Sequence, residues 1–195
     1  MTNNTKWLIN KEQSKISFNV NHLIFSSIKG VFNIFDADIS TTAKDFNTSK
    51  INLWVDASSI TTGDIKRDEH LKSADFFDVR NHKEIIFTSN SVSKPDATGN
   101  RELAGELIIK GISKTVKLNV QHDELLKDLL GNERALFTVT GKINRLDWGL
   151  IWNGAIETGG LMESAEVNVL CEIELVNAVQ KNIAKEPGYI VQKNS

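Results

Sequence analysis

Arg67, Asp68, Glu69, His70 and Lys72 crowd one turn of chain and its flank inside the segment Thr61 to Asp78, Thr-Thr-Gly-Asp-Ile-Lys-Arg-Asp-Glu-His-Leu-Lys-Ser-Ala-Asp-Phe-Phe-Asp. Three kinds of chemistry fit these residue types. Arg67 and His70 can present hydrogen-bond donors at the mouth of a cavity, where a phosphate or carbonyl head group would meet them. His70 with Asp68 or Asp75 can act as an acid-base pair. Arg67 and the acids can instead form a local ion-pair lattice that anchors a cap, with Leu71, Phe76 and Phe77 packing inward. A second concentration lies at Asn144-Arg145-Leu146-Asp147-Trp148-Gly149, followed by Trp152. There Arg145 and Asp147 suit a structural pair at a strand end, and Trp148 and Trp152 suit core or rim packing or a ligand platform.

Other chemistries find little support. The four histidines, His22, His70, His82 and His122, contain no pair at i, i+2 or i, i+4 and no His-Glu-x-x-His, so no local metal motif is present. There is no Gly-x-Ser-x-Gly elbow, and Thr158-Gly159-Gly160 lacks the further Gly and the Lys-Ser/Thr of a phosphate loop. No catalytic residue, metal or cofactor is assigned. Cys171, the single cysteine, sits in an alternating apolar run and reads as a small core hydrophobe.

The elements that must position these groups are almost all strands. A chain of 195 residues fits one domain, and 40% hydrophobic content suffices for a core. Net charge is −2, from 23 basic and 25 acidic residues, so no global field favours nucleic acid or an anionic bilayer. Apolar residues recur with period two at Ile16, Phe18 and Val20, at Ile51, Leu53, Val55 and Ala57, and at Leu103, Gly105, Leu107 and Ile109. The pattern continues through Val116, Leu118 and Val120, then Phe137, Val139, Gly141 and Ile143. Its longest run is Val167, Val169, Cys171, Ile173 and Leu175, a half-buried antiparallel strand with a wet outer face. Between Gly30 and Ile39 the phase changes, with Phe32 and Ile34 on one parity and Phe35, Ala37 and Ile39 on the other, which predicts a β-bulge. Turns are expected at Thr98-Gly99-Asn100, Lys110-Gly111 and Gly131-Asn132.

Eight or nine strands with short turns, and no helices long enough to cover a sheet, predict an all-β sandwich or up-and-down barrel, and closure into a barrel removes exposed edges. Thr61-x-x-Asp64 suggests a helix over 64–74. Val176, Val179 and Ile183 suggest another, stopped by Pro187-Gly188. Residues 1–176 thus read as the barrel domain and 177–195 as a helical extension and tail. No run approaches the ~20 apolar residues of a membrane span, and no secretory signal is visible, so a cytoplasmic protein is expected.

The chain resembles the YceI-like family of lipocalin-like barrels. The resemblance rests on Trp7-Leu-Ile, Ser14-Lys-Ile-Ser-Phe, Asn21-His22-Leu23 with Gly30-Val-Phe, Ser59-Ile-Thr-Thr-Gly63, Arg67 to Asp78 and Ile86-Phe-Thr-Ser89. It continues through Gly105-Glu-Leu-Ile-Ile-Lys-Gly-Ile-Ser-Lys114, Ile143-Asn-Arg-Leu-Asp-Trp-Gly149 and the strand from Val167 to Leu175. Coverage is residues 5–176. Trp148 stands where the family often has Phe, and the extension after Leu175 lies outside the motifs.

The resemblance implies an eight-stranded antiparallel barrel with an extended apolar cavity, and non-enzymatic binding, storage or transport of a long amphiphilic lipid such as a polyisoprenoid, an isoprenoid quinone or a fatty-acid derivative. Family members are often periplasmic, and a homodimer fits the resemblance and the C-terminal helix. An enzyme acting on such a lipid and a solid-core, stress-related interaction module are the alternatives. Residues expected to line the cavity are Phe18, Val20, Phe32 and Ile34 from the first half of the chain, with Leu53 and Val55. Phe87, Leu107, Ile109, Leu118, Phe137, Val139 and Trp148 complete the wall, and Arg67 and His70 form the polar mouth. The same apolar residues would serve equally as an ordinary filled core.

Overall fold

The computed structural model describes residues 4–22, 26–122, 125–127, 129, 131–151 and 163–178. The strands are β1 (Asn4–Ile9), β2 (Lys15–His22), β3 (Ser26–Phe32), β4 (Phe35–Thr42), β5 (Asp45–Asp56), β6 (Ile60–Thr61), β7 (Glu84–Val92), β8 (Arg101–Ile109), β9 (Ile112–His122), β10 (Leu126–Lys127), β11 (Glu133–Asn144) and β12 (Glu163–Asn177). Helix α1 spans Ile65–Lys72. Every pairing is antiparallel, and β12 pairs with β11 as well as with β1 and β2, which closes the sheet on itself.

Three of the barrel's long strands are interrupted ones. β1 pairs with Asn177 to Leu175 and β2 with Glu172 to Glu163, so together they form one strand along β12 with an excursion at residues 10–14. β3 and β4 are likewise collinear, and β6 continues β5 after a short 3₁₀ turn at Ala57–Ser59. With these joined, the ring has eight strands in up-and-down order. Closure leaves no open edge in the ring and fixes register, because slipping one residue would turn every inner side chain outward.

The phase change near Phe32 is a break, not a bulge within one continuous strand. β3 ends at Phe32 and β4 begins at Phe35, and the amides of Asn33 and Ile34 both donate to Ser59 Oγ at 3.1 Å. Two residues outside the ladder let Phe32 and Phe35 both face inward despite opposite parity. Ile34 is thereby thrown outward and is 52% exposed. Its expected place on the cavity wall is therefore wrong.

The helix expected over 64–74 forms as α1. Its N-cap is Asp64, whose carboxylate accepts from the Arg67 amide at 3.0 Å. Thr61, the expected capping residue, instead turns its hydroxyl toward Asp68. Lys110 and Gly111, at φ 50° and 73°, make the tight β8–β9 hairpin turn. Val176, expected to open the C-terminal helix, instead belongs to β12, opposite Leu8 and Arg134; Val179 and Ile183 lie outside the described residues, as do Trp152 and Pro187-Gly188.

Apolar side chains cluster at both ends of the barrel. Trp7, Phe35, Phe46, Ala135 and Leu175 pack together at one end, where Trp7 Nε1 donates to Thr41 Oγ1 at 3.0 Å. At the other, Ile60, Leu71, Phe76, Phe77, Trp148 and Leu150 pack under α1. The second cluster also runs along β7, β8 and β9 through Phe87, Leu103, Val116 and Val120, while other inward residues keep accessible surface. On β11 and β12, Ala135 and Leu175 are buried, but Phe137, Val139, Val167, Val169, Cys171 and Ile173 are only half-buried. The space that these clusters leave between them is hollow.

Glycines help to keep it so. A Cβ on Gly30 would stand 2.2 Å from Phe18 Cζ, one on Gly105 2.5 Å from Phe87 Cζ, and one on Gly141 2.4 Å from Leu118 Cδ2. Gly30 is the direct partner of Phe18 across the β2–β3 ladder. The ring occupies the space of the missing side chain and lies along the wall instead of projecting across the lumen.

Candidate ligand cavity

The lumen is a cavity of about 280 Å³. From the first half of the chain, Phe18, Val20, Phe32, Leu53 and Val55 line it, and from the second half Phe87, Leu107, Ile109, Leu118, Phe137 and Val139. These are the inward members of the alternating strands, so the period-two pattern positions them directly. Trp148 does not line it. The 3₁₀ turn at Arg145–Trp148 carries the indole into the end cluster, where it is 1% exposed and Nε1 donates to the Leu107 carbonyl at 3.2 Å. A buried indole N–H needs such an acceptor, and finding it fixes the ring as packing.

Of the polar-mouth pair, Arg67 reaches the cavity wall and His70 does not. The helix explains the split, since Arg67 and Leu71, four residues apart, share the face turned to the lumen, whereas His70 is rotated about 100° from Leu71. The His70 carbonyl closes the helix by accepting the Ser73 amide at 3.1 Å and its hydroxyl at 2.8 Å.

An ion-pair lattice is not what anchors the cap. Arg67 Nε donates to Thr62 Oγ1 at 2.7 Å and Nη2 to the Thr62 carbonyl at 3.1 Å. Asp68, 8% exposed, accepts from Thr61 Oγ1 at 2.9 Å, from the Thr62 amide at 2.8 Å and from the Thr62 hydroxyl. Burial alone would raise the Asp68 pKa. The hydrogen bonds from Thr62 and Thr61, with Lys72 nearby, outweigh it and hold the carboxyl below its ordinary value. The motif is thus a threonine clasp that ties β6 to α1.

Two further arginines, Arg101 and Arg145, contribute to the lining of the lumen. The expected pairing of Arg145 with Asp147 gives way to main-chain contacts. Arg145 turns inward, donating from Nε to the Ser164 carbonyl at 3.2 Å and from Nη1 to the Leu150 carbonyl, while Asp147 stays exposed. Arg101, at the start of β8, donates from Nε to Asn47 Oδ1 at 3.1 Å. Arg101 is absent from the expected wall and mouth, although it shares the parity of Leu103, Gly105, Leu107 and Ile109. Cys171 also faces the lumen, where burial pushes its thiol up to about 12. Among the described residues no group of three His, Cys, Asp or Glu is placed to hold a metal ion, and no helix is long and apolar enough to cross a membrane.

An up-and-down eight-stranded barrel, hollow and apolar within and capped by the short helix α1, defines a lipocalin-like class of protein. The family model described as YceI-like domain matches residues 7–175, and the chain belongs to that family. A UPF0312 protein of Staphylococcus aureus (strain MSSA476) is 35% identical over 164 residues, covering 84% of this chain and 92% of that protein. The crystal structure of Campylobacter jejuni YCEI protein superposes with a TM-score of 0.69 at 26% identity, over 80% of this chain and 89% of that one. A polyisoprenoid binding domain from Saccharophagus degradans shares the fold with a TM-score of 0.63 at 16% identity, over 88% of this chain and 98% of that one.

Proposed function

We propose that this protein binds a long-chain amphiphilic lipid, a polyisoprenoid, isoprenoid quinone or fatty-acid derivative, with the tail inside the barrel and no chemical change to it. The observation that carries this reading is the hollow lumen with an almost wholly hydrocarbon wall. Each methylene moved from water onto such a wall contributes about 0.8 kcal/mol, so a tail binds without a charged anchor. The shared fold with a domain described as polyisoprenoid binding supports the same reading. The enzymatic alternative receives less support, since His70 stands off the cavity wall and the Asp68 carboxylate is engaged by Thr61 and Thr62.

Titration with geranylgeraniol and hexadecanol tests the reading, with Val139→Arg placing a charge in the lumen. Saturable binding by the natural chain and its loss in the variant are expected; failure of the natural chain to bind either alcohol would refute it. The proposal extends to a barrel domain over 1–176, an extension over 177–195 that contributes to a homodimer, and a cytoplasmic location. Light scattering on the full chain and on one ending at Asn177 checks the extension, and two monomeric chains would count against it.

A further inference from the structure

The lining of the cavity includes three cations, Arg67, Arg101 and Arg145, and no Asp or Glu among the described residues. A guanidinium at the margin of an apolar cavity has as its strongest complement an anion that it can grip with two parallel N–H groups. The three differ in how much of that capacity remains. Arg145 is committed to the carbonyls of Leu150 and Ser164. Arg67 spends Nε and Nη2 on Thr62, which leaves Nη1 unclaimed among the described residues. Arg101 spends only Nε, on Asn47, and both terminal nitrogens are unclaimed among the described residues. The Asn47 bond also pins the inner edge of the guanidinium, so the planar fork is held before a ligand arrives, which lowers the ordering cost of binding.

Strand direction places Arg101. β5 runs toward α1 and starts beside Asn47, while β7 runs away from α1 and hands over to β8, which begins at Arg101. Arg101 and Arg67 therefore stand at opposite ends of the lumen. The rise of β8 from Arg101 to Ile109 is about 27 Å along the strand, so a tail has length to lie between them.

We propose that Arg101 is the head-group anchor of the cavity, gripping the carboxylate or phosphate of an amphiphile at the end opposite α1 while the tail extends toward Arg67. This rests on the lipid-binding reading above and adds to it both the charge of the ligand and its orientation. Hexadecanoic acid, hexadecyl phosphate and hexadecanol, titrated below their aggregation limits into the full chain, give the head-group preference as an affinity ratio. In Arg101→Gln the acid-to-alcohol and phosphate-to-alcohol ratios are expected to fall about tenfold, the scale of a lost charge-assisted fork. Arg101→Lys, which keeps the charge without the fork, recovers part of the loss. Arg80→Gln, an exposed surface change, leaves the ratios as they were. A fall in one ratio alone identifies the head as carboxylate or phosphate. Ratios unchanged in Arg101→Gln, or falling only in Arg67→Gln, overturn the anchor and leave lipid binding standing, whereas binding of neither alcohol and neither anionic amphiphile by the natural chain removes both.

Discussion

Gly30 carries as much of the cavity as any apolar residue, because the Phe18 ring rests where its side chain would be. Gly30→Val should force that ring into the lumen and weaken hexadecanol binding about tenfold, equivalent to about two lost methylene contacts, while the far-ultraviolet strand signal persists. Unchanged affinity would show that the ring is not what the glycine accommodates. Asp68 offers a different check. Its folded pKa is lowered, so it contributes stability above the ordinary carboxyl value of about 4, and that contribution disappears as pH falls through the lowered folded value. The gap in urea midpoint between natural chain and Asp68→Asn should be widest at neutral pH and close progressively below about pH 4. A gap independent of pH would mean that the carboxylate's charge is not what Thr61 and Thr62 stabilise. At this scale the sequence announced the charged segment but not its bonding. Arg67 and Asp68 invited an ion-pair reading because charges are visible in a sequence, whereas the threonine hydroxyls that engage them have no charge to signal the contact.

Alternation made most elements readable before any coordinates. Ile51, Leu53 and Val55, or Leu103 through Ile109, could face only one way once one of them faced in. The β3–β4 break was harder, since a parity switch looks alike whether one residue bulges or two leave the ladder, and only Ser59 Oγ, 25 residues downstream of Ile34, decides between them. Trp148 failed for a related reason: its neighbours are periodic, but it sits on a 3₁₀ turn where period two no longer applies. Its packing role is measurable. Trp148→Phe keeps an aromatic ring but removes the indole hydrogen bond to the Leu107 carbonyl, an expected cost of about 1 kcal/mol, and Trp148→Ala adds a cavity for about 3–5 kcal/mol in total. Equilibrium urea unfolding reads both values. Equal, small losses would place the indole outside the packed end cluster.

For the molecule as a whole, the barrel was legible and its emptiness was not. The same inward Phe, Leu, Ile and Val residues would fill a solid core or line a hollow one, and the difference lies in how far rings lean across the lumen. Glycine partners on adjacent strands set that lean. Hollowness also separates two environments for the inner wall, shielded from outside yet open within. Cys171 reports on this directly, as its thiol is pushed up to about 12 and lines the lumen. It should resist a charged maleimide at pH 8 in the folded protein and react once urea unfolds it; rapid folded-state labelling would contradict the shielded lumen. Whether this lumen holds a lipid is read by native mass spectrometry of the full chain purified without detergent from its own cells. A discrete non-covalent adduct is expected, extractable into organic solvent as one amphiphilic species, and a bare-chain mass that takes up neither prenyl nor acyl probe would refute lipid binding.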